Sequence, residues 1–137
     1  MYKVLVDTNI LVDFLFRRHD FYELSNRVIN LCEENKIKGY VTTSILMDLH
    51  YIIQNKVHSK DDADMAIEEI LKVFEVIDVT KNDILLTVKK HSKDFEDAVI
   101  EECSIRNKMD YIITRNVKDF RNSDIDAIEP KKIINLV

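Results

Sequence analysis

The sequence is short of the residues that build turns and of long apolar runs. One glycine, Gly39, and one proline, Pro130, occur in 137 residues. This scarcity argues against a turn-rich all-β fold and favours many helices with short connections. No apolar run approaches the length of a membrane-spanning helix, and the amino terminus lacks a basic stretch followed by an apolar segment. We therefore expect no membrane association and a cytoplasmic location.

Cysteine and net positive charge are also scarce. Cys32 and Cys103 lie far apart, without a CxxC pair or histidines at zinc spacing, so we expect two reduced thiols in the core. The formal net charge of −5 leaves no overall basic surface. This charge does not exclude nucleic acid, because carboxylates can bind phosphate through cations. The length corresponds to a single domain over residues 1–137.

Apolar patterns typical of strands and helices alternate along the chain. Strands are predicted over 2–6, 40–42, 74–79 and 111–114, with a possible fifth over 127–128. Helices are predicted over 10–17, 21–35, 82–90 and 95–107; one more ends near 55 after a cap at Thr43 or Ser44, and another starts at Asp61 or Asp62. Gly39 is interpreted as a helix stop. This alternation predicts an α/β fold, a three-layer α/β/α sandwich around a short parallel sheet of four to five strands.

Acidic residues occupy positions where such a fold can build a site. Asp7 follows the first predicted strand at a helix start, where a helix cap is the alternative role. Asp48 lies on a mostly apolar helix face, where an ionised carboxylate is costly unless a cation or hydrogen-bond donors offset its desolvation. Exposure near the helix start would equally explain it. Asp94 suits a helix cap, and Asp97 can point above the sheet; Glu101 and Glu102 are expected on a solvated flank.

The end of the fourth predicted strand resembles the end of the first. Thr114, Arg115 and Asn116 follow an apolar run, and Asp119 comes shortly after. A simple turn is the alternative, because asparagine favours turns. The carboxyl ends of parallel strands meet in one crevice, so Asp7 and Asn116 would lie close together if these strands are neighbours.

These motifs together resemble the PIN domain family, small nucleases best known as VapC-type toxins of bacterial toxin–antitoxin pairs. The motifs stand in the family's order and spacing: Val-Leu-Val-Asp7-Thr8-Asn9, Asp48 in the helix after the second strand, Asp94-Phe-Glu-Asp97-Ala98, and Thr114-Arg115-Asn116-Val-Lys-Asp119-Phe120. The resemblance implies a short parallel sheet flanked by helices and Mg²⁺- or Mn²⁺-dependent cleavage of RNA that leaves a 5′-phosphate and a 3′-hydroxyl. It also implies a small antitoxin partner and a homodimer formed through helices of the first half.

The resemblance assigns roles to particular residues. Asp7 and Asp97 match the direct metal ligands. Asp48 stands where the family usually has Glu, and Asn116 stands where many members have a fourth Asp, for which Asp119 could substitute. Residues expected to brace Asp7 or support the substrate are Thr8, Asn9, Thr114 and Arg115. Candidate phosphate contacts are Arg17, Arg18, Arg115 and Lys118, each of which could also be an ordinary solvated charge.

Other classes of protein fit the sequence less well. A haloacid-dehalogenase-type phosphatase needs a second Asp two residues after the first, where this chain has Asn9. A phospho-receiver domain needs adjacent acids near the first strand and a lysine after a late strand, where Thr114 and Arg115 stand. The remaining alternative is a PIN-like scaffold with impaired metal binding that serves as a partner- or RNA-binding module, because Asp48 is shortened and Asn116 is uncharged.

Overall fold

The computed structural model describes residues 1–120 and 123–137. Its strands are β1 Lys3–Val6, β2 Lys38–Thr42, β3 Glu75–Ile77, β4 Tyr111–Ile113 and β5 Asp126–Ile128. They form one parallel sheet in the order β3-β2-β1-β4-β5. The predicted α/β fold with a parallel sheet is therefore confirmed, including its fifth strand.

Helices cover the sheet in two groups. They are α1 Thr8–Leu15, α2 Tyr22–Glu33, α3 Thr43–Val57, α4 Lys60–Val73, α5 Lys81–Lys90, α6 Phe95–Arg106 and α7 Pro130–Leu136, with a 3₁₀ turn over Val117–Phe120. Helix α1 packs on α2 and α3, α3 packs on α4, and α7 packs on α2, whereas α5 packs on α6. The right-handed rule for parallel crossovers assigns α1–α4 to one face and α5–α6 to the other.

The central strands explain why the sequence reads as continuous apolar runs. Val4, Leu5 and Val6 of β1, with Ile112 and Ile113 of β4, are fully buried between the two helical layers. Both thiols are free and buried, as expected from the sequence. Within the described ranges, no helix combines the length and the apolar character that a bilayer crossing requires.

Gly39 is not the helix stop that its position suggested. Helix α2 ends at Glu33, the left-handed turn residue is Asn35 with φ 57°, and Gly39 lies inside β2. A Cβ atom at position 39 would lie 2.7 Å from Cys32 Sγ and 2.8 Å from ring carbons of Phe74. Glycine is therefore required here because a helix and a core ring approach the strand backbone closely.

Four other local predictions need correction. The cap of α3 is Thr42, whose Oγ1 accepts the Ile45 N–H at 3.1 Å, and the cap of α4 is Ser59, so both helices begin earlier than predicted. Helix α7 was missed, because seven residues carry too little periodicity. Glu102 is buried and ion-paired with Lys90 of α5, not part of a solvated flank, because the neighbouring helix covers it.

Strand order fixes where a site can form. The chain leaves β1 towards β2 on one side, and β4 pairs with β1 on the other, with Val6 opposite Ile113. A crevice opens where neighbouring parallel strands diverge into helices in this way. The residues that follow β1 and β4 therefore meet at this crevice.

Candidate active site

Asp7 is held rigidly at the end of β1. It is 7% exposed and caps α1, as one of the sequence interpretations allowed. Its Oδ1 accepts the Thr8 main-chain N–H at 2.8 Å. Its Oδ2 accepts the Thr114 hydroxyl at 2.9 Å and Asn9 Nδ2 at 3.3 Å. These donors fix the orientation of the carboxylate while leaving lone pairs for another partner.

Thr114 joins the ends of β1 and β4. Its buried hydroxyl oxygen donates to Asp7 and accepts hydrogen bonds from Asn9 Nδ2 and from the Asn116 main-chain N–H, each at 3.1 Å. Neighbouring strands therefore bring Asp7 and Asn116 to one place, as the sequence predicted for adjacent β1 and β4.

The backbone of Arg115 reaches the site, whereas its guanidinium does not. The Arg115 N–H donates to Asn9 Oδ1 at 3.2 Å. The guanidinium binds the fully buried Asp13 through Nε at 2.5 Å and Nη2 at 3.2 Å, and lies 4.1 Å from the ring centroid of Phe21. Arg115 thus supports Asn9 through its main-chain N–H. Its guanidinium binds Asp13 outside the cleft, so it does not occupy the position expected of a phosphate contact.

Four carboxylates share one open cleft of about 650 Å³ beside Asp7. Asp48 extends from α3, and Glu96 and Asp97 extend from the first turn of α6. The remaining lining residues are Thr8, Asn9, Val12, Arg18, Tyr51, Ile52, Ile100 and Asn116. The cleft therefore combines the predicted acids Asp7, Asp48 and Asp97 with a fourth, Glu96.

The carboxylates oppose one another's ionisation. Burial raises the pKa of Asp7, although the hydrogen bonds from Thr114 and Thr8 act in the opposite direction. Burial, together with the charges of Asp94, Asp7 and Asp119, raises the pKa of Asp97 to about 7. Burial and the adjacent Asp48 carboxyl likewise raise the pKa of Glu96. The cleft is therefore a region of concentrated negative charge.

Two further acids act on the cleft from its surroundings. Asp119 lies in the 3₁₀ turn and does not line the cleft, but its charge raises the pKa of both Asp7 and Asp97. Asp94 caps α6, its Oδ1 accepting the Asp97 N–H at 3.0 Å, as the sequence indicated. Asp119 is therefore a neighbour of the carboxylate cluster and not part of its wall.

Glu96 is the site residue that sequence reasoning missed. It stands directly before Asp97, and successive helical residues point about 100° apart, so the pattern alone favoured only one of the two. The available signal was a second acid in the first turn of α6, which faces Asp48 in the fold.

The donor set suits a hard divalent cation. Carboxylate and amide oxygens are the ligands that Mg²⁺ takes in proteins, and the described residues that line the cleft offer these without thiol or imidazole. In residues 1–120 and 123–137, no three acidic, thiol or imidazole side chains converge closely enough to enclose an ion alone. Mg²⁺ in proteins usually keeps several waters and is bound through only one or two carboxylates.

Comparisons with known proteins agree with this architecture. The model of the PIN domain family matches residues 3–118. Ribonuclease VapC1 of Aquifex aeolicus is 24% identical over 131 residues, which cover 92% of this chain and 89% of that protein.

Solved structures share the fold. VapBC2 from Rickettsia felis, bound to a DNA fragment from its promoter, gives a TM-score of 0.70 at 18% identity, covering 93% of this chain and 98% of the other. A toxin–antitoxin complex from Klebsiella pneumoniae gives 0.67 at 22% identity, covering 93% and 97%. Because the family match spans most of the chain, including β1, the cleft helices and the turn after β4, the protein belongs to the PIN domain family.

Proposed function

We propose that this protein is an endoribonuclease that uses Mg²⁺ or Mn²⁺ to hydrolyse RNA phosphodiester bonds. One observation carries the proposal: four carboxylates share a single cleft, and the pKa of Asp97 is raised to about 7 by burial and its acidic neighbours. Carboxylates without cationic partners repel one another, so clustering them is unfavourable unless a bound cation offsets their charge. Carboxylates whose pKa values are shifted in this way are typical of functional sites.

Each residue has a role in this proposal. Asp7, fixed by three donors, and Asp97 would hold the ion directly, and Asp48 with Asn116 or Asp119 would act on it through waters. A bound divalent cation supplies activation of water and stabilisation of charge on the phosphate. Thr8, Asn9 and Thr114 keep the Asp7 carboxylate in place.

The relatives support the substrate and the biological setting. A relative over most of the chain is called a ribonuclease, and several proteins with this fold were solved as toxin–antitoxin complexes. We therefore propose a toxin of a type II toxin–antitoxin pair that binds a small antitoxin, forms a homodimer and acts on cytoplasmic RNA. A short open reading frame immediately upstream of the gene is the genomic feature expected for the antitoxin.

A second candidate function is a scaffold that binds a partner or RNA without turnover. Two departures from the family favour it: Asn116 brings no charge to the cleft wall, and Asp48 has one methylene fewer than the usual Glu. Both candidate functions are compatible with this fold, so metal binding and metal-dependent cleavage must distinguish them.

The test combines RNA cleavage with calorimetric titration of Mn²⁺. We expect the purified protein to cleave RNA with Mn²⁺ and to stop in EDTA. Asp7→Asn and Asp97→Asn should each lower cleavage about a thousandfold, because several kcal/mol of metal-derived stabilisation are lost. Both should bind Mn²⁺ more weakly, with circular dichroism unchanged.

Asp61→Asn is the matched control, because Asp61 is exposed in the first turn of α4 and does not line the cleft. Undiminished cleavage by Asp7→Asn or Asp97→Asn would overturn the mechanism. Absence of both cleavage and Mn²⁺ binding in the unmodified protein would favour the scaffold.

A further inference from the structure

Asp13 is a buried acid of α1 that lies outside the cleft and binds the turn after β4. Its side chain is fully buried and does not line the cleft. The Arg115 guanidinium donates to it through Nε at 2.5 Å and Nη2 at 3.2 Å. Two bonds of this kind fix both the position and the plane of a guanidinium, which a single contact does not. Asp13 and Arg115 therefore join α1 to a segment 102 residues further along the chain.

Arg115 is attached to α1 at a second point, through its main chain. Its N–H donates to Asn9 Oδ1 at 3.2 Å. Asn9 and Asp13 are four residues apart within α1, so they lie on the same face of the helix, one turn apart. Helix α1 thus holds the main chain of Arg115 through Asn9 and its side chain through Asp13. This two-point attachment fixes the turn after β4 against the helix.

The orientation of the Asn9 amide depends on this attachment. Because Asn9 Oδ1 accepts the Arg115 N–H, its Nδ2 is directed at Asp7 Oδ2, at 3.3 Å, and at Thr114 Oγ1, at 3.1 Å. A reversed amide would direct its oxygen at the Asp7 carboxylate, which is buried and accepts hydrogen bonds only. The position of Arg115 therefore decides whether Asn9 donates to Asp7.

Arg18 can balance the charge of Asp13 but cannot replace Arg115 in this role. Arg18 Nη1 lies 3.8 Å from Asp13 Oδ1, which is close enough for charge attraction but too far for a hydrogen bond. Arg18 also follows α1 in the chain, so its contact with Asp13 does not reach the turn after β4. The charge of Asp13 therefore has two partners, whereas its link to the active site has one.

We propose that Asp13 is a positioning residue for the metal site, which acts through Arg115 and Asn9 on the Asp7 carboxylate. This inference rests on the proposed function, in which Asp7 would hold the ion directly. Loss of a residue that orients a metal ligand from behind typically costs about ten- to a hundredfold in metal affinity. We therefore expect Asp13, although it is buried outside the cleft, to contribute to the affinity for Mn²⁺.

Calorimetric titration with Mn²⁺ tests this role. Asp13→Asn keeps the size of the side chain but loses its charge and one acceptor atom, and it should weaken Mn²⁺ binding about tenfold. Asp83→Asn is the matched control, because Asp83 is 1% exposed, binds Arg106 through two nitrogen atoms and does not line the cleft. Both variants should lower the midpoint of urea unfolding, but only Asp13→Asn should weaken Mn²⁺ binding. Equal Mn²⁺ affinity of the two variants would overturn the proposal.

Arg115→Lys separates the position of Arg115 from its charge. An ammonium keeps the positive charge beside Asp13 but cannot reproduce the planar two-bond contact of a guanidinium. This variant should weaken Mn²⁺ binding about as much as Asp13→Asn does, and the double variant should bind no more weakly than either single variant, because both changes break one contact. Because Asp13 keeps cationic neighbours in Arg115→Lys, this variant carries the test if Asp13→Asn does not fold. Full Mn²⁺ affinity of Arg115→Lys, or additive losses in the double variant, would contradict the proposal.

Nuclear magnetic resonance of the metal-free protein measures the intermediate step. In Asp13→Asn, hydrogen exchange of the Arg115 main-chain amide should accelerate about tenfold relative to that of Ile112 in β4, because its bond to Asn9 opens more often. The side-chain amide signals of Asn9 should shift in the same variant. Asp83→Asn should change neither. Unchanged Asn9 signals and unchanged Arg115 exchange in Asp13→Asn would overturn the proposal.

These measurements distinguish failure of the inference from failure of the proposed function. If the unmodified protein binds Mn²⁺ and cleaves RNA but Asp13→Asn and Arg115→Lys match it, the positioning role is wrong and the nuclease assignment stands. If the unmodified protein binds no Mn²⁺, the proposed function fails. In that case, shifted Asn9 signals in Asp13→Asn still support the positioning of Asp7 by Asp13, and unchanged signals overturn it.

Discussion

Two groups of acids in this molecule behave in opposite ways. Asp83 of α5 is 1% exposed, and burial by itself raises its pKa. However, Arg106 donates to it through Nε at 3.0 Å and Nη2 at 2.9 Å, and the Thr80 N–H donates at 2.9 Å, so the pKa falls to about 2. Asp97 in the cleft has acidic neighbours instead, and its pKa rises to about 7.

The comparison shows that donors, and not burial alone, decide the charge state of an acid in this fold. Asp13 and Glu102 also have cationic partners, Arg115 and Lys90. Within residues 1–120 and 123–137, the cleft carboxylates form no ion pair with Lys, Arg or His. Cationic partners thus neutralise the structural acids, whereas the cleft acids are not neutralised, as expected of a site that binds a cation.

Removing the partner of Asp83 should have the largest effect on stability. Arg106→Ala leaves a buried carboxylate with only Thr80 and Cys103 as donors, and it removes the Arg106 hydrogen bond to the Asp78 carbonyl at 2.8 Å. We expect a loss of about 3 kcal/mol of unfolding free energy in urea titrations. This is the lower end of the range for a broken buried pair, because the Arg106 side chain is 39% exposed.

Lys72→Ala is the matched control, because Lys72 pairs with Glu69 at 2.9 Å and both side chains are about 70% exposed. It should change stability by less than about 0.5 kcal/mol. The stability that Asp83 contributes is lost as pH falls from about 4 towards 2, and Arg106→Ala should shift this acid transition upward. Equal stability of the two variants would mean that Arg106 is not what keeps Asp83 ionised.

The cleft acids should make the stability of the protein depend on pH in the opposite direction. Because the folded pKa of Asp97 lies above its unfolded value of 3.8, the folded state binds more protons and stability decreases as pH rises from about 4 to 7. In chelator at pH 8, Asp97→Asn should therefore stabilise the protein by about 1–2 kcal/mol, less than the full shift implies, because the side chain is partly exposed. Urea titrations at pH 5 and pH 8 measure this effect, which should be smaller at pH 5 and should vanish only below about pH 4. A loss of stability at pH 8 would show that Asp97 is structural.

The sequence predicted the elements whose signals are local. Continuous apolar runs identified β1 and β4, and Asp7 and Asn116 were expected to lie close together if these strands were neighbours. The structure pairs the two strands and places both residues, with Asp97, in one cleft. Asp48 was singled out because an ionised acid on an apolar helix face is costly without a cation or donors, with exposure near the helix start as the equal alternative. The structure places it in the wall of the cleft.

What the sequence could not provide depends on contacts between distant segments. In the sequence, Arg18 and Arg115 are equally good candidates for phosphate contacts. The structure distinguishes them, because Arg115 binds their shared partner Asp13 more closely than Arg18 does. Glu102 was predicted to be a surface residue, whereas in the structure Lys90 of α5 forms an ion pair with it. Both outcomes depend on which helices pack against each other, and the periodicity of the sequence does not encode this packing.

A smaller effect is expected from restoring a carboxylate to the cleft wall. Asn116→Asp adds a charge next to Asp7 and should tighten Mn²⁺ binding about tenfold in calorimetry, equivalent to about 1.4 kcal/mol. In chelator the same substitution should lower stability slightly, because another uncompensated acid joins the cluster. Asn30→Asp, on an exposed position of α2, makes the same change in net charge away from the cleft and should do neither. Equal Mn²⁺ affinity of the two variants would mean that position 116 does not face the ion, and the carboxylate imbalance would then be confined to Asp7, Asp48, Glu96 and Asp97.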